Sequence, residues 1–201
     1  SGWSGGVGVQ AMEEVWTTDE SDSEVSEWHK ARQNLLRRAD DVFDDVKAEF
    51  KEVPLVVGRF AEWRKKQSKS YRDAWASLSL PRVLSPYVRR QILGWDPLED
   101  GTSVEHMPWV GELFSGEDDD DDEVIPKLVE QVVVPRVSEV IRDGWDPMSV
   151  SSTGRAVGML QDVVVYVLDT APQVVKEMQD TVVSCLTSEF RRQDASLALA
   201  G

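Results

Sequence analysis

From residue 25 to residue 190 the large apolar side chains recur at steps of three, four and seven, and prolines punctuate the pattern. Such steps put side chains on one face of an α-helix, and a proline either opens a helix or interrupts one. This pairing constrains the chain more than any motif in it: every segment reads as helix. Val25, Trp28, Leu35, Leu36, Phe43, Val46 and Phe50 make one stripe. It predicts an N-terminal helix of about thirty residues within 17–53, with Ser21 and Glu24 as a capping box.

Pro54 breaks this pattern, and a second helix follows, "LVVGRFAEWRKKQ", with Val56, Phe60 and Trp63 on one side. In "SKSYRDAWASLSL" the spacing puts Tyr71, Trp75 and Leu78 on a shared face, and Pro81 starts the next helix, "PRVLSPYVRRQIL". Within the connection 99–123, the stretch from Met107 to Phe114 is apolar enough to dock as a short helical turn. A wide apolar face then runs from Ile125 to Ile141, and Pro135 inside it is expected to kink or split the helix. Ser151, Ser152 or Thr153 can cap the following helix, where Val157, Leu160, Val164 and Val167 keep helical spacing despite the β-branched run at 163–165. Pro172 opens the last helix, aligning Val175, Met178, Val182, Cys185, Leu186 and Phe190. The expected fold is all-α: an irregular helical bundle, or a short α-solenoid of stacked helical hairpins, with a long N-terminal helix. Residues 1–18 read as a flexible or expression-derived lead-in, 19–192 as one domain with an acidic loop at 115–123, and 193–201 as a tail.

The net charge is −15, but it is unevenly placed. Seven acids and no Lys or Arg fall between residues 13 and 27, and "EDDDDDE" at 117–123 adds seven more. Elsewhere 22 basic and 23 acidic residues nearly cancel. A duplex-DNA binder presents a concentrated basic face and a basic overall balance, so DNA is not an expected partner. The Asp run lacks the alternating ligands and sharp-turn glycine of a calcium-binding EF-hand loop, and reads as a solvated loop. Cys185, the single cysteine, excludes an internal disulfide and lies in an apolar run, as a buried thiol of a reducing compartment would. No apolar stretch is long enough to suggest a membrane span.

One short motif occurs twice: Gly-Trp-Asp-Pro at 94–97 and at 144–147. The first copy follows "LPRV" at 80–83 and the second follows "VPRV" at 134–137. Each unit therefore reads as helix, proline break, helix, then Gly-Trp-Asp-Pro, like two stacked hairpins of a short solenoid. Glycine past the last periodic residue is the expected helix terminator. Trp95 and Trp145 are expected to fold back over the preceding helix, Asp96 and Asp146 to accept backbone N–H bonds in an Asx-type turn or to cap the next segment, and Pro97 and Pro147 to fix the exit direction.

With these residues in view, "RFAEWRKKQSKSYRDAWASLSLPRVLSPYVRRQILGWDPLE" at 59–99 resembles the GC-rich sequence DNA-binding factor-like (GCFC) domain family, in its Pax-binding protein and GC-rich factor branch. The resemblance continues through Met107-Pro108-Trp109, Val134-Pro135-Arg136 and Trp145-Asp146-Pro147, covering roughly residues 40–190. Its structural markers are Trp63, Tyr71, Pro81, Pro86, Trp95, Asp96, Pro97, Trp109, Pro135, Trp145, Asp146 and Pro147. The resemblance implies a nuclear, non-enzymatic scaffold, a piece of a longer protein, associated with spliceosome components and above all with disassembly of the intron-lariat spliceosome. It also implies a link to transcriptional regulation. It brings no catalytic residue, cofactor or metal ligand. The acid-rich balance departs from the DNA binding in the family's name.

The residues themselves offer no enzyme chemistry. His29 and His106 have no Cys or His at metal-ligand spacing, and neither a phosphate-binding loop nor a Ser-His-Asp arrangement is present. The one electrostatic candidate is Arg59, Arg64, Lys65, Lys66, Lys69, Arg72, Arg89 and Arg90, with Arg82 nearby and Trp63, Tyr71 and Trp75 interspersed. It reads as a solvated helix face, or as a contact for an acidic protein or RNA; the aromatics fall at core spacing. The expected function is a splicing-associated scaffold working through protein contacts. The alternative is a transcription-regulating nucleic-acid-binding module using the basic face around residues 59–90.

Overall fold

The computed structural model describes residues 22–99, 101–114 and 123–200. The expected lead-in, the Ser21 cap and the acidic run up to residue 122 lie outside them. The fold is all-α. In chain order the helices are α1 (Asp22–Asp40), α2 (Val53–Lys66), α3 (Ser68–Asp73), α4 (Ala76–Ile92) and α5 (Pro108–Phe114). They continue with α6 (Val124–Leu128), α7 (Val134–Gly144), α8 (Val150–Val167) and α9 (Pro172–Ala200). The chain divides between Arg38 and Ala39 into two compact units.

Up to Arg38, α1 carries exposed Val25, Trp28 and Leu35, and Trp28 meets His29 edge-on at 5.1 Å. The helix ends at Asp40, well short of the thirty residues expected, and short 3-10 turns follow at Asp41–Phe43 and Ala48–Phe50. Asp40, Asp41, Asp44 and Asp45 explain the break, because aspartate is a poor helix former and negative charge is disfavoured at a helix C-terminus. The 41–50 segment instead lies on α4. Phe43 stacks on Tyr87 at 4.5 Å, the Tyr87 hydroxyl donates to the Phe50 carbonyl at 2.5 Å, and Arg90 Nε donates to the Ala39 carbonyl at 3.0 Å.

The body's core is built on α4, whose Leu80, Leu84, Val88 and Ile92 are buried at steps of four. They pack along α6 and the turn after it. Pro81 and Pro86 both lie inside α4 and neither breaks it, contrary to the expected proline break. An interior proline costs about 3 kcal/mol, whereas burying these four side chains is worth roughly 1.5–3 kcal/mol each. Packing therefore holds the helix through its weak points.

The second interior proline is handled differently. Residues Val129–Val133 form a π-turn that joins α6 to α7 without a break, Val134 N–H reaching back to the Val129 carbonyl. Pro135 has no N–H to offer the carbonyl of Gln131 four residues earlier. Arg89 of α4 supplies the missing donor, its Nη2 lying 3.2 Å from that oxygen. Through this stretch Leu128, Val129, Val133, Val137 and Ile141 are almost completely buried. α8 packs against α6 and the π-turn, and α9 against α7. α8 is capped by Ser149, whose hydroxyl accepts from Ser152 N–H at 3.2 Å, rather than by Ser151, Ser152 or Thr153. α9 continues helical past residue 192 to Ala200, with Phe190 and Leu197 exposed. Cys185 is half-buried, its thiol directed at the Ile141 carbonyl at 3.7 Å.

Candidate functional site

The doubled motif builds the same turn twice. Asp96 Oδ1 accepts Leu98 N–H at 3.0 Å, and Asp146 Oδ1 accepts Met148 N–H at 2.9 Å. Glu99 N–H and Ser149 N–H close the two turns onto the Asp96 and Asp146 carbonyls at 3.1 and 3.3 Å. The glycines are not the terminators expected. Among the described glycines only Gly101 has positive φ, and Gly144 is the last residue of α7. The helix stops because Trp145 turns extended (φ −78°, ψ 126°) and the aspartate captures the next free N–H. Both Trp rings are half-buried and pack against the core. Trp145 Nε1 donates to Thr153 Oγ1 at 3.3 Å. Trp95 Nε1 is buried without a protein acceptor, and the residue eight positions on, Ser103, binds His106 Nδ1 at 2.7 Å. Arg136 Nη2 donates to the Trp95 carbonyl at 3.2 Å, tying the second unit to the ending of the first.

The other family markers hold helices together. Trp109 is fully buried, its backbone N–H donating to Gln91 Oε1 at 3.0 Å and its indole N–H to Met107 Sδ at 3.3 Å. Buried Tyr71 meets Trp63 edge-on at 5.4 Å and Phe60 at 6.5 Å, an aromatic knot that joins α2 to α3.

The basic residues divide into two groups. Arg59 pairs with Glu49 and lies 5.3 Å from the Phe50 ring centre, Arg89 serves Gln131, and Arg90 also pairs with Asp40 at 3.2 Å. These three brace the body. Arg64 lies over the Tyr71 ring at 6.0 Å, and Lys66 pairs with Glu62, whose carboxyl this bond holds below its ordinary range. Lys65, Lys69, Arg72 and Arg82 are exposed. From residue 63 to 95 there are eight Lys and Arg against one acid, Asp73, in a chain of net charge −15.

Between α3 and α4 stands a residue that helical spacing misassigns. Trp75 shares no face with Tyr71: α3 stops at Asp73, and Trp75 adopts φ 52°, ψ 40°, leaving its ring 70% exposed. Leu78, one turn on, is 61% exposed. Periodicity assumed one continuous helix here, and no residue in "RDAWAS" signals the left-handed step.

Among the described residues no group of His, Cys, Asp and Glu could hold a metal ion, and no helix is long and apolar enough to cross a membrane. The family model described as GC-rich sequence DNA-binding factor-like protein matches residues 54–124. The chain is 32% identical over 144 residues to the Intron Large complex component GCFC2 of Mus musculus, an alignment covering 66% of the chain and 19% of that protein. It is 31% identical over 150 residues to PAX3- and PAX7-binding protein 1 of Homo sapiens, covering 70% and 16%. The Transcriptional repressor ILP1 of Arabidopsis thaliana is 38% identical over 122 residues, covering 56% and 13%. The chain thus spans less than a fifth of the length of these relatives. Their names are those of binding or regulatory factors.

Proposed function

Because the chain belongs to the GC-rich sequence DNA-binding factor-like family, we propose that it is an interaction domain of a nuclear scaffold in pre-mRNA splicing. It works by holding proteins together, without catalysis, and its place is in the disassembly of the intron-lariat spliceosome. The observation that carries this reading is the similarity to a protein named as an Intron Large complex component. The way the chain spends its aromatic residues supports it. Single-stranded nucleic acid is held on successive exposed rings along a basic groove. Here Tyr71 is buried, Trp63 is half-buried in the knot beside it, and only Trp75 of the three stands free.

A second reading rests on the relative named as a transcriptional repressor: a nucleic-acid-binding module using the basic surface around residues 59–90. One experiment separates the two. The chain is used as bait in nuclear extract, and in parallel is titrated with random single-stranded RNA and duplex DNA at physiological salt. Recovery of splicing factors with no nucleic-acid binding is expected. Nucleic-acid binding that weakens steeply with salt, without recovery of splicing factors, would establish the second reading instead.

A further inference from the structure

We propose that the outer face of α4 around Trp75 is a docking surface for an acidic protein segment that carries apolar anchors. This deepens the scaffold reading and rests on it. Leu78 and Arg82 lie one turn apart on an exposed face of α4, and Trp75 is the exposed residue immediately before that helix. That face is opposite in character to what solvent favours. Trp75 and Leu78 are the exposed large apolar side chains at its start, and Arg82 ends it. Trp and Arg are the residue types most enriched among energetic anchors of protein interfaces.

The backbone adds a second, independent observation. Trp75 is the only non-glycine residue with positive φ among those described. A residue with a Cβ avoids the left-handed region, and such outliers gather at functional positions. The conformation is held from both sides: Trp75 N–H donates to the Arg72 carbonyl at 3.0 Å, while the Trp75 carbonyl accepts from Ser79 N–H and from its hydroxyl, each at 3.2 Å. The result is a defined backbone step that leaves the indole largely exposed.

Charge selects the occupant. In the stretch of chain just before Trp75, an open depression is lined by Lys66, Lys69, Ser70, Asp73 and Ala74, and Arg72 and Arg82 are exposed on α3 and α4. An acidic segment meets this positive surface and is kept off the rest of a strongly negative chain. The exposed indole and Leu78 are the apolar surface that a leucine or phenylalanine on that segment would cover. RNA would find the charge but no row of rings to stack on.

The test is fluorescence anisotropy with the full chain and a short fluorescein-labelled peptide of Glu and Asp that carries a Phe and a Leu one helical turn apart. A second peptide has both apolar residues replaced by Ser, and poly(U) is the third probe. The apolar acidic peptide is expected to bind best, and Trp75→Gly and Leu78→Ser each to weaken it about tenfold or more. Arg82→Glu should weaken it as well, with thermal midpoint and far-UV circular dichroism confirming that all three variants fold. Equal binding of the two peptides reduces the surface to charge attraction and overturns the proposal. So does unchanged binding by folded Trp75→Gly, stronger binding of poly(U), or no binding at all. If bait experiments with Trp75→Gly still recover splicing factors, the scaffold reading stands and this surface is not its contact.

Discussion

Arg89 and Pro135 should be energetically coupled although they sit on different helices. Arg89 Nη2 donates at 3.2 Å to the Gln131 carbonyl, the oxygen that Pro135 leaves without its helical N–H. A hydrogen bond to a charged group is worth roughly 1.5–3 kcal/mol, but Arg89 and Gln131 are both exposed, so about 1 kcal/mol is the figure to expect for Arg89→Ala. Pro135→Ala restores an N–H at the right position. In that background the Gln131 carbonyl no longer depends on the guanidinium, and Arg89→Ala should cost only a few tenths of a kcal/mol. The coupling is thus about 0.5–1 kcal/mol, within the range measured for contacting residues. Urea unfolding of the four proteins of this cycle reads it directly, provided the m-values agree. By thermal melting, 1 kcal/mol corresponds to a shift of about 2–4 °C in a chain of this size. Equal costs for Arg89→Ala in both backgrounds would refute the reasoning and return Arg89 to the set of candidate partner contacts.

Two tryptophans should behave in opposite ways. Trp109→Ala, at a fully buried ring, should cost about 3–5 kcal/mol by denaturant titration. Trp75→Gly should stay within about 1 kcal/mol of zero, since the lost contact of a 70% exposed ring offsets relief of a left-handed backbone worth roughly 1–2 kcal/mol. Gly144→Ala should stabilise by about 0.5–1 kcal/mol, because φ there is not positive and a Cβ meets only Leu98 Cδ1 at 3.9 Å; a loss would show that the turn needs glycine after all. Burial raises the Tyr87 phenol above its ordinary value of 10.0, and burial followed by Asp162 and Glu105 does the same for Tyr166. The unfolded chain therefore ionises first: this stability is fully present below pH 10 and is lost as pH climbs through the higher folded values. Replacing both by Phe should flatten that alkaline decline in pH-dependent melting.

The helical class was legible because apolar spacing survives wherever a helix packs on the core, as at Leu80, Leu84, Val88 and Ile92. The Asx turns at Asp96 and Asp146 were legible because they depend on atoms two residues apart. What escaped depends on partners distant in sequence. Pro81 looks like a helix start until four buried neighbours outweigh it. The first helix looks continuous through Phe43 and Phe50 until Tyr87 and Arg90 hold that segment in another conformation. At the candidate site, the basic residues were visible as a set, but which of them brace the body required knowing that Glu49, Asp40 and Gln131 lie across from them. Trp75 was hidden by its own spacing, since a single left-handed residue rotates everything after it.

The open carbonyl at Gln131 has a further consequence, for alignment rather than stability. The helical run from α6 to α7 presents a nearly uniform aliphatic surface, with Val129, Val132, Val133, Val137 and Val140 all buried. Smooth valine faces can slide past a neighbour by a turn, about 5.4 Å, and still bury similar area. A guanidinium that must find one particular oxygen cannot slide with them. Of all the offsets α4 could adopt along this run, only one brings Arg89 to the carbonyl that Pro135 leaves unfilled. A proline that looks like a defect in the helix thereby acts as its index mark, the kind of single polar contact best attested for choosing register.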